Sequence, residues 1–346
     1  MSSLVGVDIG SASVRAVEVK SPDKRPSIVK YAEVPLPEGS VRRGEVLEIA
    51  TVATALKRLW ANGRFSTKDV VLGMGGPRVL SRDLSVPRAP LAQIREALPF
   101  HVQDLLPVPV AEALLDFYPI SEGAGENGPV VHGLLVAAIK EAVNANVAAI
   151  TRAGLHPVGV DLIPFALVRG LIPPGGGRGL IAIVSIGANT TNVVLVQDGV
   201  PQFVRIIPAG GDDITRALVQ RLQLSPGQAE TAKRELGLTQ NPLRPEYRPA
   251  AEVIFEVAGE QVNALRNTLA YYTNSRPGSV IDRIVLSGGG SQLQGLARAL
   301  SDLSGTPVAP AEPVGGAPLP REKSRTTREQ HDALTTAYSL ALGGVA

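Results

Sequence analysis

The chain has 346 residues, of which 44% are hydrophobic and 19% are charged, and its net charge is +2. This length is enough for two domains with sizeable cores, and the composition is ordinary for a soluble globular protein. There is no cysteine and the four histidines are isolated in the sequence. Disulfides, thiolate catalysis and cysteine-ligated zinc are therefore excluded, and no histidine metal site is indicated.

Neither nucleic acid nor a membrane is indicated as a direct partner. Basic residues are scattered, with no Lys/Arg stripe interleaved with aromatic residues. No apolar run approaches the ~20 residues that a membrane span needs, and the N-terminus MSSLVGVDIG does not resemble a secretory signal. We expect a soluble protein, compatible with a reducing cytoplasm, whose contact with a membrane is indirect.

The first predicted unit is a strand, a tight turn and a strand, VDIGSASVRAVEV at residues 7–19, followed by a polar turn and a third strand. Nearly the same unit returns as VSIGANTTN at residues 184–192, again with further strands after it. At a constant offset of 177 residues, the aligned pairs are Asp8 with Ser185, Gly10 with Gly187, and Ser13 with Thr190. A unit that occurs twice, half a chain apart, predicts two lobes related by duplication.

Between the two units the sequence predicts a helix and then an insert. Apolar residues recur at helical spacing until Asn62-Gly63 ends the helix. Residues 70–154 are typical of a small α+β insert, in which the glycine-rich SEGAGENGP is a surface loop, and PPGGGRG at 173–179 is the clearest break. We therefore expect the first lobe at 1–69 and 155–175, the insert at 70–154, and the second lobe at 176–346 with a helical subdomain at about 216–276.

The second lobe continues with predicted helices. GGDDITRALVQRLQL opens with an acidic first turn, and SPGQAETAKRELG begins with the N-cap signal Ser225-Pro226. A long amphipathic helix follows at about 250–272, and then strand IDRIVLS, a glycine run and helix SQLQGLARALSDLSG. The Pro- and Gly-rich segment 309–328 predicts a loop before a last helix at roughly 330–342.

Two turns carry the residue types of a phosphate cradle, because small side chains let backbone N–H groups approach an anion. The first cradle comprises Gly10, Ser11, Ala12 and Ser13, and the second comprises Gly187, Ala188, Asn189 and Thr190. Asp8 could hold a hydrated Mg²⁺ beside the phosphates. Further candidate contacts are Gly210 and Gly211 for ribose or phosphate, and Gly288, Gly289 and Gly290 for adenine. A plain β-hairpin is the alternative for either turn taken singly.

Other glycine-rich nucleotide sites do not fit this sequence. It contains no G-x-x-x-x-G-K-[ST] sequence, which excludes a P-loop. VGVDIGSAS also lacks the G-x-G-x-x-G pattern, which argues against a dinucleotide fold.

The motifs VDIGSAS, SIGANTTN, AGGDDIT, AETAKRELG and VLSGGGSQLQGL, in this order over nearly the whole chain, resemble the actin/Hsp70/sugar-kinase ATPase superfamily. The insert and the phrases LLVAAIKEAVNANVAAITRAGLHPVGVDLIPFAL and GGDDITRAL are most similar to its PilM branch, which is close to the cell-division protein FtsA. The resemblance implies an α/β, actin-like (ribonuclease H-like) duplicated two-lobe fold with an FtsA/PilM-type insert. It also implies ATP and Mg²⁺ as cofactors.

Carried over by motif, Asp8 resembles the aspartate that holds Mg²⁺ through water, and Ser185 occupies the matching second aspartate. Glu230 and Lys233 resemble the pair that grips adenosine, with an exposed ion pair as the alternative. Asp161 resembles the acidic position that orients the attacking water, with a strand-end carboxylate as the alternative. Because Ser185 removes a carboxylate but leaves the backbone cradle, we expect ATP to bind with Mg²⁺ and to be turned over slowly or not at all.

The resemblance implies a cytoplasmic scaffold of the type IV pilus inner-membrane assembly, which holds the N-terminal tail of a PilN-like bitopic membrane protein. Pilus motor ATPases and a second copy of the chain are further implied partners. The groove for an apolar tail is expected between the first lobe and the insert, with Met74, Leu80, Ile94 and Phe100 as candidate walls or simple core.

Two other functions remain as alternatives. An FtsA-like filament protein of cell division would carry an amphipathic membrane-interface helix rich in Lys/Arg at its end, and the terminal AYSLALGGVA has no such character. A small-molecule kinase of the same fold would need a substrate base, for which Asp161 is the available candidate.

Overall fold

The computed structural model describes residues 3–20, 26–126, 128–172, 175–238, 244–312 and 328–343. In chain order the first half forms β1 (Ser3–Ile9), β2 (Ser13–Lys20), β3 (Ser27–Pro35), β4 (Val41–Arg42), β5 (Glu45–Val46), α1 (Ile49–Gly63), β6 (Asp69–Met74), β7 (Val79–Pro87), α2 (Leu91–His101), β8 (Ala113–Gly125), β9 (Gly128–Ile139), α3 (Lys140–Arg152), β10 (His156–Leu162) and α4 (Ile163–Leu171). The second half forms β11 (Leu180–Ile186), β12 (Thr191–Gln197), β13 (Val200–Ile207), α5 (Gly211–Leu222), α6 (Pro226–Leu236), α7 (Arg248–Ser275), β14 (Arg283–Ser287), α8 (Leu296–Ser304), β15 (Val308–Pro310) and α9 (Arg328–Ala341).

Two five-stranded sheets of the same construction form the two lobes. The strand order is β10-β6-β1-β2-β3 in the first and β15-β14-β11-β12-β13 in the second. Each sheet joins an antiparallel hairpin to parallel strands. The register repeats as well: Asp8 pairs with Arg15, and Ser185, 177 residues later, pairs with Asn192. The predicted duplication and the two-lobe α/β fold are confirmed.

The central strands are apolar because the sheet is covered on both faces. Every residue of β11, LIAIVSI, is buried, as expected for a strand with a parallel neighbour and helices above and below it. The cores pack β1, β2 and β6 against α1 and α3 in the first lobe, and β11 and β14 against α7 and α8 in the second. The hairpin turns are therefore held at the ends of rigid strands.

Helix α6 begins where the sequence predicts. The Gln228 N–H donates to Ser225 Oγ at 3.4 Å, and Gln228 Oε1 accepts from the Ser225 N–H at 3.0 Å, which closes a capping box ahead of Pro226. At the other end the Gly237 N–H donates to the Lys233 carbonyl at 3.1 Å. This fixed helix presents two of the candidate site residues, Glu230 and Lys233.

The insert is smaller than the sequence indicates. Strand β6, expected within it, lies between β1 and β10 in the first-lobe sheet, because Val70 and Leu72 are fully buried there. Helix α3, also expected in the insert, packs against α1 in the first-lobe core. The insert's own sheet is β7-β9-β8, with α2 packed on β8. The predicted loop SEGAGENGP is mostly strand, since β8 continues to Gly125 and β9 begins at Gly128.

Helix α9, expected in the second lobe, packs on the first. It contacts β1, β2 and α4, and Leu334 and Tyr338 share a core with Val17. Gly6 permits this close approach, because a Cβ on Gly6 would lie 2.0 Å from the Ala337 carbonyl oxygen. Most of the predicted loop 309–328 lies outside the described residues. Among the helices that are described, none is both long and apolar enough to cross a bilayer.

Candidate functional site

A cleft of about 760 Å³ lies between the lobes and is lined by both predicted turns. From the first lobe, the predicted residues that line it are Asp8, Gly10, Ser11 and Ala12. From the second lobe they are Ser185, Gly187, Ala188, Asn189, Thr190, Gly211, Glu230, Lys233, Gly288, Gly289 and Gly290. The lining does not include Ser13, Gly210 or Asp161.

The two turns close with the same hydrogen bond. The Gly10 N–H donates to the Ser13 carbonyl at 3.0 Å, and the Gly187 N–H donates to the Thr190 carbonyl at 2.8 Å. These bonds are related by the 177-residue offset of the sequence repeat. Both lobes therefore present the same backbone shape to the cleft.

The first turn of α5 holds the second hairpin turn in place by backbone hydrogen bonds. The N–H groups of Gly211 and Asp212 donate to the carbonyls of Gly187 and Ala188 at 2.9 and 2.8 Å. A Cβ on Gly210 would lie 2.5 Å from both of those carbonyl oxygens, so only glycine fits there. Gly210 thus supports the turn rather than lining the cleft, and its own carbonyl accepts from Gln261 Nε2 at 2.7 Å.

Arg15 lies beside Asp8 in the floor of the cleft. Arg15 Nη1 is 3.4 Å from Asp8 Oδ2, and Arg15 Nε is 2.9 Å from Glu33 Oε1. Burial raises the pKa of the Asp8 carboxyl, and the Arg15 guanidinium opposes that rise. The buried Ser13 hydroxyl donates to the same Glu33 oxygen at 2.6 Å, which explains why Ser13 does not face the cleft.

Glu230 and Lys233 belong to a network in the second-lobe wall of the cleft. Lys233 Nζ is 2.6 Å from Glu230 Oε2 and donates to Thr215 Oγ1 at 2.9 Å and to the Gly211 carbonyl at 3.2 Å. Burial alone would raise the pKa of Glu230, but hydrogen bonds from Lys233 and Arg234 outweigh it and lower the pKa to about 2. Since the Lys233 side chain is only 14% exposed, the pair differs from an ordinary surface ion pair.

Asp161 is not brought together with the other predicted residues. It lies at the end of β10, where Oδ1 accepts from the Leu162 N–H at 2.7 Å and Oδ2 pairs with Arg169 of α4. Ile163, two residues later, lines the cleft instead. At this strand end the cleft is therefore lined by an apolar side chain and not by the predicted carboxylate.

Several residues that line the cleft were missed by the sequence reasoning. They include Arg15, Ile163, Asn192, Asp212 and Gln261. Arg15 and Asn192 could have been found, because they occupy equivalent positions of the repeat and sit across the hairpins from Asp8 and Ser185. Gln261 reaches the cleft from the middle of α7, and no local signal indicates that.

The donors in the cleft suit a hard cation that keeps its water. Asp8, Ser185 and Asp212 offer oxygen atoms, while the described part of the chain holds no group of three His, Cys, Asp or Glu side chains placed to bind a metal. Mg²⁺ prefers oxygen ligands, retains several waters and is commonly held by one or two carboxylates and substrate phosphates. The residues present therefore fit Mg²⁺ that arrives with a phosphate ligand.

The predicted groove residues have different environments. Met74 and Ile94 are buried core residues, whereas Phe100 on α2 is 80% exposed. Leu80 lines a second cavity of about 610 Å³ between β7 and β13. The core alternative therefore applies to Met74 and Ile94.

Comparison with known proteins gives the family. The family described as type IV pilus assembly protein PilM matches residues 6–345. Among solved structures, a PilM–PilN type IV pilus biogenesis complex is similar, with a TM-score of 0.82 and 28% identity over 98% of this chain and 96% of that one. The ethanolamine utilization protein EutJ from Carboxydothermus hydrogenoformans has a TM-score of 0.58 and 17% identity over 99% and 90% of the two chains, which bears on the fold alone.

A curated relative is the cell division protein FtsA of Bacillus subtilis, 22% identical over 258 residues. The match covers 67% of this chain but only 58% of that relative's length. With the duplicated sheets, these likenesses confirm the predicted actin-like fold and its FtsA/PilM character.

Proposed function

Since the chain belongs to the family of type IV pilus assembly protein PilM, we propose that it is an ATP-binding scaffold of the pilus inner-membrane assembly. ATP with Mg²⁺ binds between the lobes and is hydrolysed slowly or not at all. The scaffold holds the N-terminal cytoplasmic tail of a PilN-like membrane protein, through which it reaches the inner face of the membrane. The observation that carries the proposal is that two matching turns from opposite lobes line one cleft.

The cleft is lined by groups that suit the separate parts of a nucleotide. The turn backbones and Arg15 offer N–H donors and a cation to phosphate oxygens. Glu230 can accept from ribose hydroxyls, and we assign the glycine run 288–290 of the lining to the base. Mg²⁺, when bound, neutralises phosphate charge, and Asp8 is the carboxylate placed to accept from its water.

Slow turnover is supported by what is missing from the cleft walls. Ser185 puts a hydroxyl where the first lobe has the carboxylate of Asp8. Ile163 faces the cleft, while Asp161 is held by Arg169 outside it. Phosphoryl transfer depends on positioned charge and an oriented nucleophile, so this site would bind phosphates better than it would cleave them.

The test is a paired measurement of ATP affinity by calorimetry and steady-state phosphate release. The unmodified protein is expected to bind ATP with Mg²⁺ and to release phosphate at nearly the background rate. Ser185→Asp combined with Ile163→Glu is expected to raise the release rate about tenfold or more, because it adds one carboxylate near the metal and one facing the attacking water. Asp161→Asn should leave ATP affinity unchanged. Brisk turnover by the unmodified protein would contradict the proposal.

The partner proposal is supported by the similar solved complex of PilM with PilN and by two edge strands of the described sheets. Strand β8 is an edge of the insert sheet and β10 is an edge of the first-lobe sheet. Tyr118 of β8 packs against Phe165 of α4, the helix that follows β10, with ring centroids 4.8 Å apart. Val158 and Val160 are exposed along β10. An extended apolar tail can add to such an edge by backbone hydrogen bonds and side-chain contacts.

Val160→Arg is expected to weaken binding of a synthetic PilN-like tail about tenfold or more, because the arginine places a charge where the apolar tail would desolvate it. Fluorescence anisotropy of the labelled peptide measures the affinity. The control is Val280→Arg, which changes another exposed valine, before β14 in the second lobe. Equal loss in both variants, or no loss at Val160, would rule out this edge as the tail site.

A further inference from the structure

The side chain of Asn192 is a buried amide in the wall of the cleft with an unmet hydrogen-bond requirement. It lies on β12, lines the cleft and is 6% exposed. Its Oδ1 atom is buried and has no hydrogen-bond partner among the described residues. Buried polar atoms without a partner are rare in folded proteins and unfavourable. Such an acceptor at a binding cleft points to a donor that arrives with the ligand.

The sequence repeat indicates a role for position 192. Asn192 lies directly across the hairpin from Ser185, as Arg15 does from Asp8 in the first lobe. The first hairpin therefore places a carboxylate and a guanidinium at these two positions, and the second places a hydroxyl and an amide. With no carboxylate at position 185, Asn192 offers a side-chain oxygen at the position paired with it.

The opposite lobe places glycines beside this oxygen. Gly73 and Gly75 line the cleft on the first-lobe side. A Cβ on Gly75 would lie 3.0 Å from Asn192 Oδ1, closer than most real contacts. The amide oxygen therefore lies against a glycine across the seam between the lobes, where any larger residue would crowd it.

We propose that Asn192 Oδ1 accepts a hydrogen bond from a water of the Mg²⁺ that accompanies the nucleotide. Asn192 thereby supplies, from the neighbouring strand, the outer-shell acceptor that position 185 lacks. A neutral amide accepts such a bond without adding negative charge, so it helps to place the ion and adds no carboxylate next to the phosphates. This inference rests on the proposed nucleotide function of the same cleft.

The test separates metal-dependent from metal-independent affinity. Asn192→Ala is expected to weaken ATP binding about five- to tenfold in the presence of Mg²⁺, the loss of one hydrogen bond, and to leave ATP binding in excess EDTA within about twofold. Asn192→Asp, which has nearly the same shape, should fold normally and strengthen binding with Mg²⁺ relative to EDTA. Electron paramagnetic resonance of free Mn²⁺ gives a second readout, the affinity of the ATP complex for the metal, which should fall in the alanine variant.

Two results for Asn192→Ala would overturn the inference alone. One is ATP binding that weakens equally with and without metal, as expected for a residue that only packs at the seam. The other is an ATP affinity that is unchanged in both conditions. Failure of the unmodified protein to bind ATP in either condition would instead overturn the proposed function, and the inference with it. Thermal melting without nucleotide confirms that the variants being compared are folded.

Discussion

Replacing Lys233 with alanine is expected to weaken ATP binding about thirtyfold, equivalent to about 2 kcal/mol. Lys233 Nζ contacts Glu230, Thr215 and the Gly211 carbonyl, and the side chain is largely shielded from solvent. Its removal takes away one cation of the cleft lining and the hydrogen bonds that join α6 to α5. Hydrogen bonds to charged groups are the stronger class, which is why the expected loss is large.

The matched control is Arg221→Ala on α5 in the same helical region. Arg221 makes an ion pair with Glu256 at 2.6 Å, but both side chains are about half exposed, so the pair contributes little. Calorimetric titration with ATP and Mg²⁺ should separate the two variants clearly. If the Lys233→Ala protein remains folded and its ATP affinity is within threefold of that of the unmodified chain, Glu230 and Lys233 do not bind adenosine.

Gly6→Ala is expected to lower the free energy of unfolding by about 3 kcal/mol, because overpacking against backbone cannot be relieved by a rotamer change. The added Cβ would lie 2.0 Å from the Ala337 carbonyl oxygen and 2.5 Å from the Ala341 nitrogen. Helix α9 would have to move away from β1 as a unit. Denaturant unfolding measures the loss, and the melting temperature should fall by several degrees.

Gly259→Ala serves as the opposite control for the same chemical change. Gly259 lies within α7, and a Cβ there meets nothing within 4 Å. Alanine in a helix interior is favoured over glycine by about 0.5–1 kcal/mol, so this variant should be slightly more stable. If Gly6→Ala were as stable as Gly259→Ala, the close packing of α9 on β1 would be wrong.

The repeated hairpins could be predicted from the sequence because their information is local. Each turn carries its small residues within a few positions, and the flanking strands are marked by apolar runs, so Gly10 and Gly187 could be placed with their neighbours. The capping signal at Ser225 is equally local and gave the start of α6. Residues of this kind form both turns that line the candidate cleft.

The features that were missed depend on contacts distant in sequence. The predicted insert boundary at residue 70 is wrong, because the apolar sequence of β6 is equally compatible with a strand inside the insert and with a strand between β1 and β10. Only the tertiary pairing decides between the two positions. Asp161 has the residue type of a catalytic acid, but the side-chain direction at the end of β10 and the partner Arg169 place it outside the cleft. Gln261 enters from a helix more than 50 residues beyond the second turn.

The packing of α9 against β1 has a consequence for how the protein is made. The strand that opens the first lobe is synthesised more than 300 residues before the helix that covers it. Domains commonly fold in order as they leave the ribosome. Part of the apolar surface of the first lobe, however, stays uncovered until translation has passed residue 341. Chaperone protection during elongation should therefore matter more for this lobe than for the second, whose own helices follow its strands promptly.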